Sequence, residues 1–432
     1  MTRLRVAARD TFASFQHRNF RLFFLGQGIS QIGYWLTLVT LTLLVLDLTD
    51  SGVAVGLLSA AQFGPVLLLG AWAGVVADRH DRRRMLLTVQ SVAMAQAFAL
   101  ALLVFSGDPP LAAIYALAVV GGVCMAFENP ARRSLVVEMV APERINNAVA
   151  LNSAVMTLSR VLGPALAGLV VTTVGYGWAF LGDALSYVAV LGGLLLVRTE
   201  EMWPGPVTAR AKGQVRAGLR YVRRTPELFV PLAMTAAVGT LSYNFQTVFP
   251  LFVTRDLDGS EATYTIVYSV LSVGSLVGAL VTARRKDVEP RRVGNAAIAF
   301  GVVMAVMAVS PGLAPTLVLG LALGLASMTF MVSTTSIVQI RAQPDMRGRV
   351  LALQAMLFFG SKPIGGPIVG WVAEQWGARY SLALGAVAAL GTGLWGLAAL
   401  RRRDVPAPAA TVARSRWWPE RPGPGQAASA SL

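Results

Sequence analysis

The chain alternates between long apolar runs and short polar breaks. Apolar runs fall at 20–46, 53–77, 84–106, 110–130, 146–173 and 177–197, and again at 227–254, 262–283, 292–310, 313–340, 349–373 and 377–400. A helix needs about 20 mostly apolar residues to cross a bilayer. The pattern therefore predicts an all-α integral membrane protein of twelve transmembrane helices.

The breaks sort by charge. With the N-terminus inside, the N-terminal arm carries five basic residues, the 78–84 loop four, the 131–145 loop three, the 198–226 segment seven, 284–292 five, 341–349 three and the C-terminal tail six. That places 33 of the 37 Lys and Arg on one side, against only Arg255 and Arg379 on the other, with Arg160 and Lys362 inside helices. Cytoplasmic loops accumulate Lys and Arg, so both termini are expected in the cytoplasm of a bacterium, with the helices in its inner membrane.

The longest break divides the chain. Residues 1–197 form one six-helix bundle, 198–226 a cytoplasmic linker, 227–400 a second six-helix bundle, and 401–432 a Pro-, Ala- and Gly-rich tail expected to be disordered. Within the linker, Val215, Leu219 and Val222 recur at helical spacing among Arg and Lys, the pattern of a basic amphipathic helix on the inner leaflet. The halves repeat weakly. A shift of 202 residues pairs Pro142 with Pro344, Ser159 with Ser361, Arg160 with Lys362, Gly163 with Gly365, Gly168 with Gly370 and Gly175 with Gly377. A shift of 208 pairs Gly70-Ala71 with Gly278-Ala279 and Arg83-Arg84 with Arg291-Arg292. Duplicated halves suit a transporter that rocks one bundle against the other.

Composition narrows the class further. Hydrophobic residues make up 55% of the 432 and charged residues 14%, against about 25% charged in soluble proteins. The net charge of +15 resides in the loops, so nucleic acid is not an expected partner. Cys124 is the sole cysteine, which rules out an intramolecular disulfide, and His17 and His80 both lie in polar segments, so no metal site is expected. The N-terminal Arg3, Arg5 and Arg9 precede no short apolar core with a cleavage site, and the arm reads as retained. G-x-x-x-x-G-K-[ST] is absent, so ATP is not the expected direct driver and no cofactor is expected.

Six stretches carry a family resemblance. Gly74-Val-Val-Ala-Asp78-Arg79-His80-Asp81-Arg82-Arg83-Arg84 resembles the major facilitator superfamily loop G-x-x-x-D-R-x-G-R-[RK], with Asp81 where that family usually has Gly. Ser159-Arg160-Val-Leu-Gly163-Pro164-Ala-Leu-Ala-Gly168 is similar to the family's G-P-x-x-x-G motif of the fifth helix, more common in exporters. Gly163 and Gly168 permit close helix contact and Pro164 removes a backbone donor; ordinary small-residue packing is the alternative. Phe127 to Arg133, Asn147 to Ser153, Gly218 to Pro226 and Arg347 to Val350 resemble the enterobactin-exporter-like branch, which contains siderophore exporters and proton-coupled drug exporters.

The resemblance implies helices 1, 4, 7 and 10 around a central cavity. Candidate substrate contacts are then Gln27, Gln31 and Tyr34, with Trp35 beside them, then Tyr243 and Asn244, and Met328 and Met331. Methionine and aromatic surfaces adapt to varied apolar shapes, and packing between helices is the competing role. It also implies a cytoplasmic gate in which Asp78 and Arg82 meet an acid at the inner end of the fourth helix, here taken as Glu128. Charges at membrane depth cost about 2.5–3.5 kcal/mol on insertion scales, so Glu128, Arg160, Asp183 and Lys362 each need a reason, either neutralising pairs or function. Asp183 is the candidate coupling acid. The expected function is a secondary active transporter, acting as a monomer, that exports a small hydrophobic or amphipathic drug or siderophore by proton antiport. A non-transporting membrane sensor, or an importer of the same fold, is the alternative.

Overall fold

In lipid each backbone N–H and C=O must find its partner within its own segment, which leaves an open apolar chain only the helix. A computed structural model describes residues 13–203, 214–283 and 289–401, and all regular elements among them are helical. The first six are α1 (Arg18–Thr49), α2 (Gly52–Arg79), α3 (Arg82–Phe105), α4 (Leu111–Glu138), α5 (Ile145–Val174) and α6 (Tyr176–Leu195). After a linker helix, Gln214–Arg224, comes α7, built of Pro226–Leu241 and Phe245–Leu251 and finished by a π turn over Phe252–Asp256. Then follow α8 (Glu261–Ala283), α9 (Pro290–Ala308), α10 (Leu313–Arg341), α11 (Pro344–Trp376) and α12 (Ala378–Arg401).

Eleven of the twelve are long and apolar enough to cross a membrane by composition alone. The exception is α11. It has ample length at 33 residues, but Lys362 and its Gly and Pro run dilute its apolarity. Most of the tail, 402–432, lies outside the described residues.

The halves pack alike. Contacts α1–α6, α2–α4, α3–α6, α3–α4 and α1–α5 in the first bundle recur as α7–α12, α8–α10, α9–α12, α9–α10 and α7–α11 in the second. Across the halves α2 lies on α11, and its equivalent α8 lies on α5. The two bundles are therefore pseudo-symmetric. Gly175 and Gly377, paired in the repeat, form the α5–α6 and α11–α12 turns with φ of 95° and 99°. A Cβ is strained there, which leaves glycine as the fitting residue.

One face gathers the start of α1, the end of α12 and the described basic residues of the breaks between helices; we call it the basic face. Its arginines close helix ends. Arg83 donates to the carbonyls of Leu194 (2.7 Å) and Leu195 (2.9 Å), and Arg18 to that of Leu196 (2.8 Å). Carbonyls at a helix C-terminus lack intrahelical donors and carry partial negative charge, so cations suit them. Of the linker helix, Val222 is buried against Leu228, Leu232, Val338 and Val350, whereas Leu219 is exposed. Tyr221 accepts a hydrogen bond at its hydroxyl from the Gln343 N–H (3.1 Å).

Candidate functional site

The first bundle encloses a polar cavity in a largely apolar setting. It is lined by Tyr34 of α1, Gln62 of α2, Gln96 of α3, Met125 and Glu128 of α4, and Asp183 of α6. Glu128 is the hub. Its Oε1 accepts from Arg132 Nη1 at 3.0 Å, one helical turn on, and from Gln27 and Gln31 of α1 at 3.3 and 3.5 Å. Arg132 Nη2 also donates to Asn129 Oδ1 at 2.7 Å. Tyr34 points its hydroxyl at Met125 Sδ (3.3 Å). Gln27 Oε1 and Arg132 Nε are buried without a protein partner.

Asp183 lies in the same wall and is 1% exposed. Ser186 Oγ donates to its Oδ1 at 3.3 Å. A Cβ on Gly33 would collide with that oxygen and with Ser186 Oγ, so glycine at 33 is what lets α6 bring its acid against α1. Tyr34, Glu128 and Asp183, singled out for separate reasons, thus line one cavity, and Gln27 and Gln31 are tied to it through Glu128.

The proposed grouping of Arg82 with Glu128 is corrected. Arg82, at the start of α3, forms its ion pair with Glu138, the last residue of α4. Glu128 lies ten residues before that end, about 15 Å along a helix. The side chain of Asp78 lies outside the described residues. The backbone of α4 also runs past the expected 130 to Glu138, because Arg132 inside it is neutralised by Glu128.

In the second bundle Tyr243 stands at the break in α7. Its hydroxyl donates to the Ser327 carbonyl of α10, and its ring packs among Phe245, Phe300 and Phe358. Asn244 is 5% exposed and donates to the Thr240 carbonyl at 2.6 Å. Met328 and Met331 of α10 are half-buried. Between the halves, Gly163 and Pro164 are buried in α5. A Cβ on Gly163 would strike Trp35 of α1, and one on Gly168 would strike Thr265 of α8. Arg160, one turn before Gly163, lies over the Trp35 ring at 5.4 Å, and Lys362 lies over the Phe63 ring at 4.2 Å.

Hydrogen bonds and ion pairs fasten the halves at the face opposite the basic one. Arg255 pairs with Asp50 at 3.0 Å, Tyr176 donates to Glu261, and Glu374 accepts from Ser51 Oγ (2.6 Å) and the Val53 N–H (3.0 Å). Glu374 of one half thereby caps the N-terminus of α2 in the other, where a carboxylate meets free N–H groups. On that side α2 and α11 also touch backbone to backbone through Gly52, Gly56, Gly366 and Gly370.

A family model described as transmembrane secretion effector matches residues 9–423. The chain belongs to that family. As a transmembrane secretion effector of the major facilitator superfamily it is a multi-pass membrane transporter, not an enzyme. It is 26% identical over 406 residues to the multidrug efflux pump Tap of Mycobacterium tuberculosis, covering 90% of this chain and 94% of that one. It is also 26% identical over 266 residues to the staphyloferrin A transporter of Staphylococcus aureus, over 60% of this chain and 64% of that relative's length. Among solved structures, a bacterial homologue of the human lysosomal transporter Spinster, in an inward-facing and occupied conformation, superposes with a TM-score of 0.72 at 14% identity, over 90% of this chain and 99% of that one. At that identity the likeness speaks for the fold alone.

Proposed function

We propose that this transmembrane secretion effector exports a small hydrophobic or amphipathic molecule across the cytoplasmic membrane by alternating access, driven by inward movement of protons. The observation that carries this reading is the fastening of the halves at the face opposite the basic one. The halves hold together at the face that the positive-inside rule places outside, as expected of a state ready to load from the cytoplasm. The names of its relatives, a multidrug efflux pump and a siderophore transporter, support outward transport of small molecules.

In this scheme Asp183 is the coupling acid, set in the first-bundle cavity beside Glu128. Gln27, Gln31, Tyr34, Tyr243, Asn244, Met328 and Met331 border the substrate path. Gly163, Pro164 and Gly168 let α5 slide on α1 and α8. Asp78 and Arg82 belong to the cytoplasmic gate, with Glu138 as the acid that positions Arg82. The protein works as a monomer, with both termini cytoplasmic.

Vesicles test this. Purified protein is reconstituted with both orientations resolved, and accumulation of a macrolide and of staphyloferrin A is followed with and without an imposed pH gradient. Uptake of either by inside-out vesicles, abolished by an uncoupler, is the expected result. Gradient-driven uptake confined to right-side-out vesicles would make the protein an importer, and no uptake of either in any orientation would leave a non-transporting sensor.

A further inference from the structure

Arg160 and Lys362 have no acid. Both lie near the middle of spanning helices, α5 and α11, where an unpaired cation is costly and normally takes a carboxylate partner. The nearby acids are committed elsewhere: Glu128 to Arg132 and two glutamines, Asp183 to Ser186, and Glu138 to Arg82. Neither Arg160 nor Lys362 makes a hydrogen bond or ion pair among the described residues. What each has instead is an aromatic floor, Trp35 and Phe63. A ring face attracts a cation yet accepts none of the guanidinium or ammonium N–H groups edge-on.

These donors face the space between the halves. Arg160 lies against Trp35 of α1, on α5, the helix that packs on α8 of the other half, and Lys362 reaches from α11 onto Phe63 of α2 in the other half. The two cations also occupy matched places in the repeat, one in each half. Like charges drawn together without compensation repel, and the surrounding rings leave that repulsion standing.

We propose that the central site selects an anionic, carboxylate-bearing substrate, clamped between Arg160 of one bundle and Lys362 of the other. This rests on the transport reading above and narrows its substrate class. A guanidinium matches a carboxylate with two parallel hydrogen bonds, and an ammonium supplies a point charge to a second anionic group or hydroxyl. Trp35, Phe63 and Tyr243 give the apolar part of such a molecule its surface. A di- or tricarboxylate amphiphile fits this arrangement better than a lipophilic cation, which would meet two positive charges. Because the clamp draws one residue from each half, the bound anion would tie the bundles together and link occupancy to their rocking motion.

The test is a pair of xanthene dyes of similar frame and opposite charge, carboxyfluorescein as polyanion and rhodamine 6G as cation. Binding to the full-length protein is read by fluorescence anisotropy in phosphatidylcholine nanodiscs with no gradient. The wild type is expected to hold the anion at least about tenfold more tightly. Arg160→Gln and Lys362→Gln should each weaken the anion by about tenfold or more and leave the cation unchanged or tighter. Retained cation binding shows that the variants fold. Should either variant misfold, the wild-type preference and its loss in high salt still decide the matter. Failure of the anion to bind, equal or tighter binding of the cation, or unchanged anion affinity in both folded variants would overturn the clamp. Discs enriched in phosphatidylglycerol separate the two sources of anion. If that lipid displaces the dye, the site holds a headgroup phosphate and the carboxylate proposal falls. Binding without a gradient is blind to direction and coupling, so failure of export in vesicles would leave this result standing on its own.

Discussion

A buried carboxylate persists in a hydrocarbon slab where something neutralises or uses its charge. Glu128 is neutralised by Arg132 and two glutamines. Asp183 meets only hydroxyls, those of Ser186 (3.3 Å) and Thr37, and no cation is paired with it among the described residues, which is the physical case for a protonatable group. Asp183→Asn is therefore expected to cut gradient-driven transport by more than about tenfold, the factor that 1.4 kcal/mol represents, while binding of a transported probe changes little. Wild-type gradient-driven accumulation in that variant would remove Asp183 from coupling. Singly, these residues were legible in the sequence, because an acid or a glutamine pair inside an apolar run stands out. Their convergence on one cavity was not, since the rotation of each helix about its axis is set by packing such as Gly33 against Asp183. Glu138 was missed because Arg132 and Arg133 looked like a loop. The i, i+4 spacing of Glu128 and Arg132 was the available signal that the helix continues past them.

At the scale of elements, the twelve spans were written in hydrophobicity and in the basic breaks, and their observed boundaries follow those runs apart from α4. The repeat in glycines also has a structural counterpart. Gly175 and Gly377 occupy the same turn in the two halves, with positive φ and extended ψ of 172° and 156°. Gly175→Ala and Gly377→Ala are each expected to cost about 1–3 kcal/mol, seen as a lower midpoint of thermal unfolding in detergent. Gly192→Ala, in the last turn of α6 with open space at its Cβ, should be near neutral. Equal effects at all three sites would mean that the turns carry no strain. The break in α7 at Ser242–Asn244 was not legible, because the run 227–254 is continuously apolar. It follows from tertiary contact: Ser242 Oγ donates to the Gly385 carbonyl at 2.7 Å, and Gly365 packs directly on the Thr240 carbonyl.

For the whole molecule, the two faces of the membrane are built differently. The two basic residues expected on the far side, Arg255 and Arg379, are each committed there, to Asp50 at 3.0 Å and to Asp256 at 3.4 Å. The Arg255–Asp50 pair and Glu374 capping α2 fasten the two halves, whereas Arg379–Asp256 lies within the second half. Composition could count these charges but not pair them across a gap of some two hundred residues. Glu374→Gln keeps the shape and removes the charge. A loss of about 1.4 kcal/mol in the closed state would move the ratio of the two conformations about tenfold toward opening on that face. A cysteine at Ser59, deep in the α2–α11 contact, should then react faster with an impermeant maleimide added from outside, in a Cys124→Ala background. Unchanged reactivity would show that Glu374 does not fasten the halves.

The central claim is alternation of access about a site between the bundles. The measurement that tests it most directly is a pair of spin-label distances in the reconstituted protein, again with Cys124→Ala. One pair, at Asp108 and Gly312, spans the closed face; the other, at Glu143 and Arg347, spans the basic face. Imposing a pH gradient or adding a transported molecule should lengthen the first distance and shorten the second, together and in the same fraction of molecules. Two distances that stay fixed under every condition, or a single one that moves alone, would contradict alternating access in this protein.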